Sequence, residues 1–212
     1  AEAIEEAIAG LVADLRSRHD IATVGVGAAG YVDKARAVVL FAPNVAWRNE
    51  DLKGELERRV QLPVVIENDA NAAAWGEFRY GAGHDAEDLL LVTVGTGVGG
   101  GLVLDGEVYR GANGVGAEIG HMRVVPNGIL CGCGKHGCYE QYASGSALVR
   151  EARSLALSGA QIAQGMLQRA GGDLNRITGP LITEAAQHGD AGALQQLAEL
   201  GRWLGEGIAS LT

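Results

Sequence analysis

The residues best suited to chemistry lie in one segment near the middle of the chain. All three cysteines are found there, at Cys131, Cys133 and Cys138, and His121 lies upstream of them. Three thiolates and one imidazole are the ligand set of a closed, tetrahedral zinc site. His136 lies between two of the cysteines and is the alternative fourth ligand. We favour His121, because a ligand outside the tight cysteine loop would tie two segments together.

Other chemistry for the cysteines is less well supported. A disulfide with one free thiol is possible, but an odd number of cysteines argues against a secreted disulfide framework. The chain also begins with an acidic stretch and not with a signal-like segment. Two carboxylates, Glu118 and Glu140, bracket the cysteine segment. The segment therefore predicts a structural zinc site that holds neighbouring polar groups in place.

The composition restricts the classes of protein to be considered. The chain has 212 residues, 47% of them hydrophobic, and a formal net charge of -9. That length suits one domain or two small ones, and no apolar run is long enough for a membrane span. The negative charge disfavours binding of nucleic acid through its phosphates. We therefore expect a soluble, cytoplasmic, globular protein that binds neither membranes nor nucleic acid.

Hydrophobic periodicity predicts alternating helices and strands. We predict helices over residues 2–18, 51–59, 70–78, 147–170 and 180–187 and after Asp190, and strands over 21–26, 37–41, 62–66, 89–94, 102–104 and 107–109. This alternation indicates an α/β fold with mixed sheets. The run Gly81–Asp85 interrupts the pattern and predicts a domain boundary.

An acidic residue, Asp69, lies where a predicted strand ends and a helix begins. Ligands of α/β folds bind at such carboxyl ends of strands. One interpretation is a general base that takes a proton from a hydroxyl as the oxygen attacks phosphorus. The alternative is a helix N-cap, a common role for aspartate at this position.

A glycine-rich loop follows the strand over residues 89–94. Gly95, Gly97 and Gly100 match the dinucleotide-binding pattern, but that pattern must open a helix, whereas a strand and hairpin follow here. Backbone N–H groups of such a loop can still bind phosphate, with Thr93 or Thr96 adding a hydroxyl. The alternative is a tight β-turn in which the glycines only relieve strain.

Several motifs together resemble the ROK family of sugar kinases and repressors, and within it the actinobacterial-type glucokinases. The matching segments, in the order found in the family, are Gly25–Gly30, Phe41–Asn44, Glu67–Ala73, Gly95–Gly101, Glu118–His121 and Cys131–Glu140. They extend over nearly the whole chain, and the cysteine motif is highly specific.

The resemblance implies a role for each matching residue. It implies that Asp69 is the catalytic base on the 6-hydroxyl of glucose. The implied sugar-binding residues are Gly30, Asn44, Asn68, Glu118, His121 and Glu140, and the implied phosphate-binding residues for ATP are Thr96, Gly97, Gly99 and Gly100. The implied zinc ligands are His121, Cys131, Cys133 and Cys138. His121 would then contact zinc through one ring nitrogen and sugar through the other.

The resemblance also implies the architecture and the partners. The fold would be of the actin-like ATPase and hexokinase type, related to ribonuclease H, with residues 1–82 in a small domain and 83–212 in a large one. ATP with Mg²⁺ would be the co-substrate, and the protein would form a homodimer or homotetramer. Members begin with a strand and an Asp-x-Gly-Gly-Thr phosphate loop and end with an adenine-binding segment. This chain lacks both and resembles a fragment from the middle of a kinase.

Three functional hypotheses follow. The first is an ATP-dependent glucokinase that produces glucose 6-phosphate. The second is a sugar-sensing transcriptional repressor of the same family, which would carry a DNA-binding helix-turn-helix. The third is a kinase for fructose, mannose or an N-acetylhexosamine. Asp69 and the acidic composition favour a kinase, and polyphosphate remains an alternative phosphoryl donor.

Overall fold

The chain contains both helices and strands, which confirms the predicted α/β class. The computed structural model describes residues 2–42 and 45–211, so the predicted sugar ligand Asn44 lies outside the described residues. The helices are α1 (Glu2–Arg16), α2 (Leu52–Val60), α3 (Asp69–Tyr80), α4 (Glu140–Ala143), α5 (Gly145–Leu157), α6 (Gln164–Arg169), α7 (Gly179–Gln187) and α8 (Ala191–Ala209). The strands are β1 (Val24–Ala28), β2 (Tyr31–Val32), β3 (Val39–Phe41), β4 (Arg48–Glu50), β5 (Val64–Asn68), β6 (Leu89–Val94), β7 (Val98–Leu104) and β8 (Glu107–Val108).

The chain divides into two compact units. The first comprises Ala1–Val92 and Gly100–Glu118, and the second comprises Thr93–Gly99 and Ile119–Thr212. These units are defined by contacts within this chain. The division after residue 82, which concerns the domains of a longer protein, stays a prediction.

The first unit is built around a parallel pair of strands. Strands β1 and β5 pair in register from Val24 opposite Val64 to Ala28 opposite Asn68. Helices α1 and α2 pack against each other, and the buried core includes Leu52, Leu56, Val64 and Ile66. Strands β2, β3 and β4 form an antiparallel sheet, and a further sheet has the order β6-β7-β8. Both parallel and antiparallel sheets are present, as predicted.

The second unit has a helical core. Helices α5, α7 and α8 pack together, and Met166, Ile177 and Ile182 are completely buried among them. The predicted single helix over residues 147–170 is wrong, since α5 ends at Leu157 and α6 begins only at Gln164. Gly159, at a φ of 73°, follows the end of α5. A left-handed glycine of this kind terminates helices.

The predicted glycine loop is shorter than the sequence suggests. Strand β7 already begins at Val98, so Gly99 and Gly100 lie in a strand and the turn consists of residues 95–97. Glycine lowers strand propensity, which is why the sequence suggested a loop. The expected hairpin at Asp105–Gly106 is present, and it joins β7 to β8 with Val103 opposite Val108.

Within residues 2–42 and 45–211, no helix has both the length and the hydropathy needed to cross a membrane.

Candidate functional site

Four of the predicted metal ligands converge in the second unit. One ligand atom from each of His121, Cys131, Cys133 and Cys138 lies within 4.8 Å of the others. The Cys133 and Cys138 sulfurs are 3.6 Å apart, and His121 Nδ1 is 3.6 Å from Cys131 Sγ. Metal–sulfur bonds of about 2.3 Å in a tetrahedron place neighbouring sulfurs about 3.8 Å apart. The donor set and its spacing therefore fit a tetrahedral zinc ion.

Backbone hydrogen bonds shape the cysteine loop. The Cys131 N–H donates to the Lys135 carbonyl at 2.8 Å, and the Gly137 N–H donates to the Ile129 carbonyl at 2.8 Å. Gly137 has a φ of 76°, and a Cβ there would lie 1.6 Å from the Val125 carbonyl oxygen. Only glycine fits this position, because any side chain would overlap the backbone. The loop is thereby tight enough to direct three sulfurs inward.

The alternative ligand His136 lies outside this cluster. Its side chain is exposed, and its Nδ1 is 2.9 Å from the Gly128 carbonyl oxygen. His121 instead ends a short 3₁₀ turn, Ile119–His121, whose Gly120 packs closely against Val98. The geometry therefore favours His121 over His136 as the fourth metal ligand, a question that the sequence left open.

The thiols of the cluster differ in acidity. Burial raises the pKa of Cys131 and of Cys138, and the neighbouring Glu140 adds to the effect on Cys131. Burial also acts on Cys133, but hydrogen bonds from the Lys135 backbone and the other two thiols outweigh it and lower its pKa. Thiolates are the metal-binding form, so a metal must displace protons from Cys131 and Cys138.

Glu140 lies directly beside the cluster. Its Oε1 is 3.0 Å from Cys131 Sγ and 3.7 Å from His121 Nδ1. Its Oε2 faces the glycine turn, where a Cβ on Gly97 would lie only 2.6 Å away. Glu140 is the first residue of α4, so its backbone position is set by that helix.

The glycine turn is in contact with the beginning of α5. The Gly95 N–H donates to the Gly97 carbonyl at 3.0 Å, and the Gly145 N–H donates to the Gly95 carbonyl at 2.8 Å. Ser144 caps α5 by accepting a hydrogen bond from the Ala147 N–H at 3.1 Å. The first N–H groups of a helix and the N–H groups of a tight turn favour anions. The turn and the start of α5 therefore form a polar edge, in which the Gly95 and Gly145 N–H groups are already bonded within the chain.

A cavity of about 850 Å³ opens at this edge. Its polar lining includes Thr96 and Ser146 together with two arginines, Arg150 and Arg153. The lining also includes apolar side chains, namely Val94, Leu148, Val149, Leu197 and Leu200. None of the described residues that line the cavity carries a carboxylate. A cavity with an apolar wall and a polar edge of arginines and hydroxyl groups suits a flat base linked to phosphates.

The predicted catalytic base lies in the first unit, at the end of β5. Asn68 caps α3, since its Oδ1 accepts from the Asn71 N–H at 3.0 Å, while its Nδ2 donates to the Gly30 carbonyl at 3.1 Å. Asp69 is the exposed first residue of α3, and its Oδ1 accepts from the Ala70 N–H at 2.9 Å. Asn68, and not Asp69, is therefore the N-cap residue, which removes the main structural alternative for Asp69.

The other predicted sugar ligands are divided between the units. Gly30, Asn68 and Glu118 belong to the first unit, and His121 and Glu140 belong to the second. Gly30 packs so closely on β3 that a Cβ would lie 2.5 Å from the Phe41 carbonyl oxygen. That packing fixes the position of the Gly30 carbonyl, which accepts the hydrogen bond from Asn68 Nδ2.

Sequence reasoning missed three residues of the candidate site. Gly145 brings α5 against the glycine turn, and Arg150 and Arg153 line the cavity. The two arginines lie three positions apart, which places them on one helix face and was the only available signal. Gly145 had no such signal, because its role depends on a neighbour distant in sequence.

Known proteins resemble this chain over nearly its whole length. The family model described as "ROK family" matches residues 1–212. The chain is 50% identical to a glucokinase of Streptomyces coelicolor over 210 residues. The aligned region covers 99% of this chain and 66% of that protein. A xylose repressor of Bacillus subtilis is 32% identical over 92% of this chain and 46% of its own length. The chain thus spans slightly under two thirds of the glucokinase.

A solved structure has the same fold. The crystal structure of a ROK family glucokinase from Streptomyces griseus in complex with glucose and AMPPNP matches all of this chain, with a TM-score of 0.89 and 54% identity. The match covers 68% of that protein. Together with the family match, it confirms the predicted actin-like, hexokinase-type fold.

Proposed function

The chain belongs to the ROK family, and on this premise we propose that it is the central part of an ATP-dependent glucokinase. The observation that supports this most strongly is the 50% identity to the Streptomyces coelicolor glucokinase over 99% of the chain. The predicted site residues agree with this function in type and in local geometry. The reaction would transfer the γ-phosphoryl group of ATP, used with Mg²⁺, to the 6-hydroxyl of glucose.

Asp69 acts as the general base in this proposal. Its Oδ1 is occupied by the Ala70 N–H, and among the described residues no hydrogen bond engages its Oδ2. The 6-hydroxyl oxygen attacks the γ-phosphorus, the bond from that phosphorus to the β–γ bridging oxygen breaks, and ADP leaves. Asp69 Oδ2 takes the hydroxyl proton as the new phosphorus–oxygen bond forms.

We assign sugar binding to the residues for which the family resemblance implies it. Asn68, Asn44, Glu118, His121 and Glu140 would bind the glucose hydroxyls, and Gly30 would allow close approach of the sugar. His121 directs Nδ1 toward Cys131, so Nε2 is the nitrogen assigned to the sugar. This division of roles suits imidazole, because the group held by one nitrogen orients the other.

We assign ATP to the cavity beside the glycine turn. Thr96 and Gly97 with the start of α5 would hold phosphates, and the apolar wall of Leu148 and Leu200 would accept the base. Gly99 and Gly100 lie in β7, so they would contribute to phosphate binding through the position of that strand and not as part of a loop. The arginine-rich lining is also compatible with inorganic polyphosphate as the donor.

We propose that the metal is Zn²⁺ and that it is structural. His121, Cys131, Cys133 and Cys138 would hold it, and it would supply a cross-link between the 3₁₀ turn and the cysteine loop. Four protein ligands complete a tetrahedron. With the metal bound, the cysteine loop and the 3₁₀ turn would hold Glu140 and His121 in fixed positions.

We further propose a cytoplasmic location and assembly into a homodimer or homotetramer. The three cysteines are free, and free thiolate ligands persist in reducing compartments. ATP is also a cytoplasmic substrate. Light scattering of the intact protein would measure the assembly, and a monomer at micromolar concentration would contradict it.

Calorimetry with the zinc-loaded chain tests the proposal. We expect selective binding of glucose, with weaker or no binding of N-acetylmannosamine and fructose. Preference for one of those comparators would change the assigned sugar and keep the kinase. The absence of binding to any sugar by folded, zinc-loaded protein would contradict the assigned sugar site.

The second candidate is a sugar-sensing repressor of the same family. It is favoured by matches to regulators such as the xylose repressors, which are less similar to this chain than the Streptomyces glucokinase is. Glucose binding without phosphorylation by the intact protein, together with binding of a specific DNA site, would identify it.

A further inference from the structure

One carboxylate lies between the metal cluster and the glycine turn. Glu140 Oε1 is 3.0 Å from Cys131 Sγ, and Oε2 is so close to Gly97 that a Cβ there would lie 2.6 Å away. We propose that Glu140 is a positioning residue that couples the metal cluster to the turn of the nucleotide cavity. This goes beyond its assigned sugar contact, and it rests on the proposed metal and nucleotide sites.

The backbone at Glu140 cannot move away from the cluster. The preceding residue, Tyr139, is completely buried, and its hydroxyl donates to the Leu204 carbonyl at 2.9 Å. Its N–H donates to the Met122 carbonyl at 2.8 Å. A Cβ on Gly207 would lie 2.1 Å from the tyrosine ring, so α8 is packed tightly against it. Displacement of the carboxylate must therefore occur by rotation of the Glu140 side chain.

The turn on the other side is also fixed. Gly97 is held by the hydrogen bond from the Gly95 N–H, and Gly95 is held by the Gly145 N–H at the start of α5. A side chain at position 97 would therefore displace the carboxylate of Glu140 and leave the turn in place. The carboxylate would rotate toward Cys131 and His121, where its negative charge opposes the thiolates that bind the metal.

The coupling must act in both directions. If nucleotide binding at the turn alters metal affinity, then metal binding alters nucleotide affinity by the same factor. Metal loading should therefore change nucleotide affinity although no metal ligand lines the cavity.

Zinc affinity of Gly97→Ala tests the coupling. Competition with a colorimetric chelator should give an affinity about tenfold lower than that of the unmodified chain, as for other residues that support metal ligands. Gly95→Ala is the matched control, because it changes the same turn but its Cβ would meet nothing within 4 Å. Its zinc affinity should be unchanged.

A second substitution isolates the carboxylate. In a Glu140→Ala background the added methyl group at position 97 has nothing to displace, so Gly97→Ala should no longer lower zinc affinity. Circular dichroism of each zinc-loaded variant checks that it is folded. Equal zinc affinity of Gly97→Ala and Gly95→Ala, or a loss that persists without the carboxylate, would overturn the coupling.

The unmodified chain provides an independent readout. We expect its affinity for Mg²⁺·AMPPNP to change at least about fivefold between the metal-free and zinc-loaded states, and this change to vanish in Glu140→Ala. Nucleotide binding that is equal in both states would overturn the coupling alone. Absence of zinc binding, or of nucleotide binding in either state, would overturn the proposed sites and the coupling with them.

Discussion

Asn68 and Asp69 are neighbouring residues with separate tasks. Asn68 caps α3 through Oδ1 and donates from Nδ2 to the Gly30 carbonyl, and each of these atoms keeps one further hydrogen-bonding position for a sugar hydroxyl. Asp69 is therefore not required as the cap and presents a carboxylate at the end of β5. Because Asn68 is the cap, the Asp69 carboxylate remains exposed at a position where aspartate commonly caps a helix.

The first prediction concerns Asp69→Asn in the intact enzyme. Asparagine has the same shape but cannot take a proton from the sugar, so phosphorylation should fall by about 10²-fold or more while glucose affinity is retained. A coupled assay for ADP and glucose calorimetry measure the two quantities. Retained turnover would exclude Asp69 from the mechanism.

The second prediction concerns the pH dependence of metal binding. The pKa values of Cys131 and Cys138 are raised, and zinc binds only the deprotonated thiolates. Protons therefore compete more strongly as the pH falls, and zinc affinity should decrease from about pH 8 to about pH 6. Chelator competition at several pH values measures this. An affinity independent of pH would show that these thiols do not bind the metal.

At the scale of elements, local patterns predicted the path from β5 into α3 well. The apolar run and the polar Glu67–Asp69 segment define the end of a strand and the start of a helix without distant neighbours. The helix predicted over 147–170 failed, because alanine and leucine favour helix throughout but Gly159 ends α5. The glycine loop was predicted too long, because β7 is fixed by sheet pairing and packing and not by the propensity of its glycines.

The third prediction concerns the start of α5. A Cβ on Gly145 would lie 2.8 Å from the Gly95 carbonyl oxygen, which is too close for the present packing. Gly145→Ala should therefore separate α5 from the turn and weaken AMPPNP binding about tenfold. Gly201→Ala in α8, where the space is open, is the control and should bind normally. Equal affinities in calorimetry would refute the proposed phosphate edge.

The fourth prediction concerns packing of α3 against β7. A Cβ on Gly101 would lie 2.5 Å from the Ala74 Cβ, whereas a Cβ on Gly76 within α3 would meet nothing within 4 Å. Gly101→Ala should destabilise the chain by about 1–3 kcal/mol through overpacking. Gly76→Ala should stabilise it by about 0.5–1 kcal/mol through helix propensity. Urea unfolding measures both, and a destabilising Gly76→Ala would contradict this account.

At the scale of the whole molecule, the chain consists of two units with separate cores. The first core is centred on Leu52, Leu56 and Ile66, and the second on Met166 and Ile182. The sequence motifs predicted candidate ligands and a candidate base in both units, because such predictions depend on residue type and on the order of residues along the chain. The contacts of Gly145 and the cavity of Arg150 and Arg153 were not predicted, since they depend on packing between distant segments.

The fifth prediction concerns removal of the metal. All four ligands lie in the second unit, so a chelator should increase hydrogen exchange in residues 119–143 and in the turn at 95–97. The core strands β1 and β5 should keep their protection, because no ligand lies in the first unit. Exchange measured by mass spectrometry tests this. A uniform loss of protection would contradict the local role of the metal.

The most direct test of the central claim is formation of glucose 6-phosphate by the intact, zinc-loaded enzyme. With glucose, ATP and Mg²⁺, we predict product formation that depends on ATP and is lost in Asp69→Asn. Glucose binding without any phosphorylation, under conditions in which the protein is folded and zinc-loaded, would contradict the kinase and favour a sugar-sensing protein.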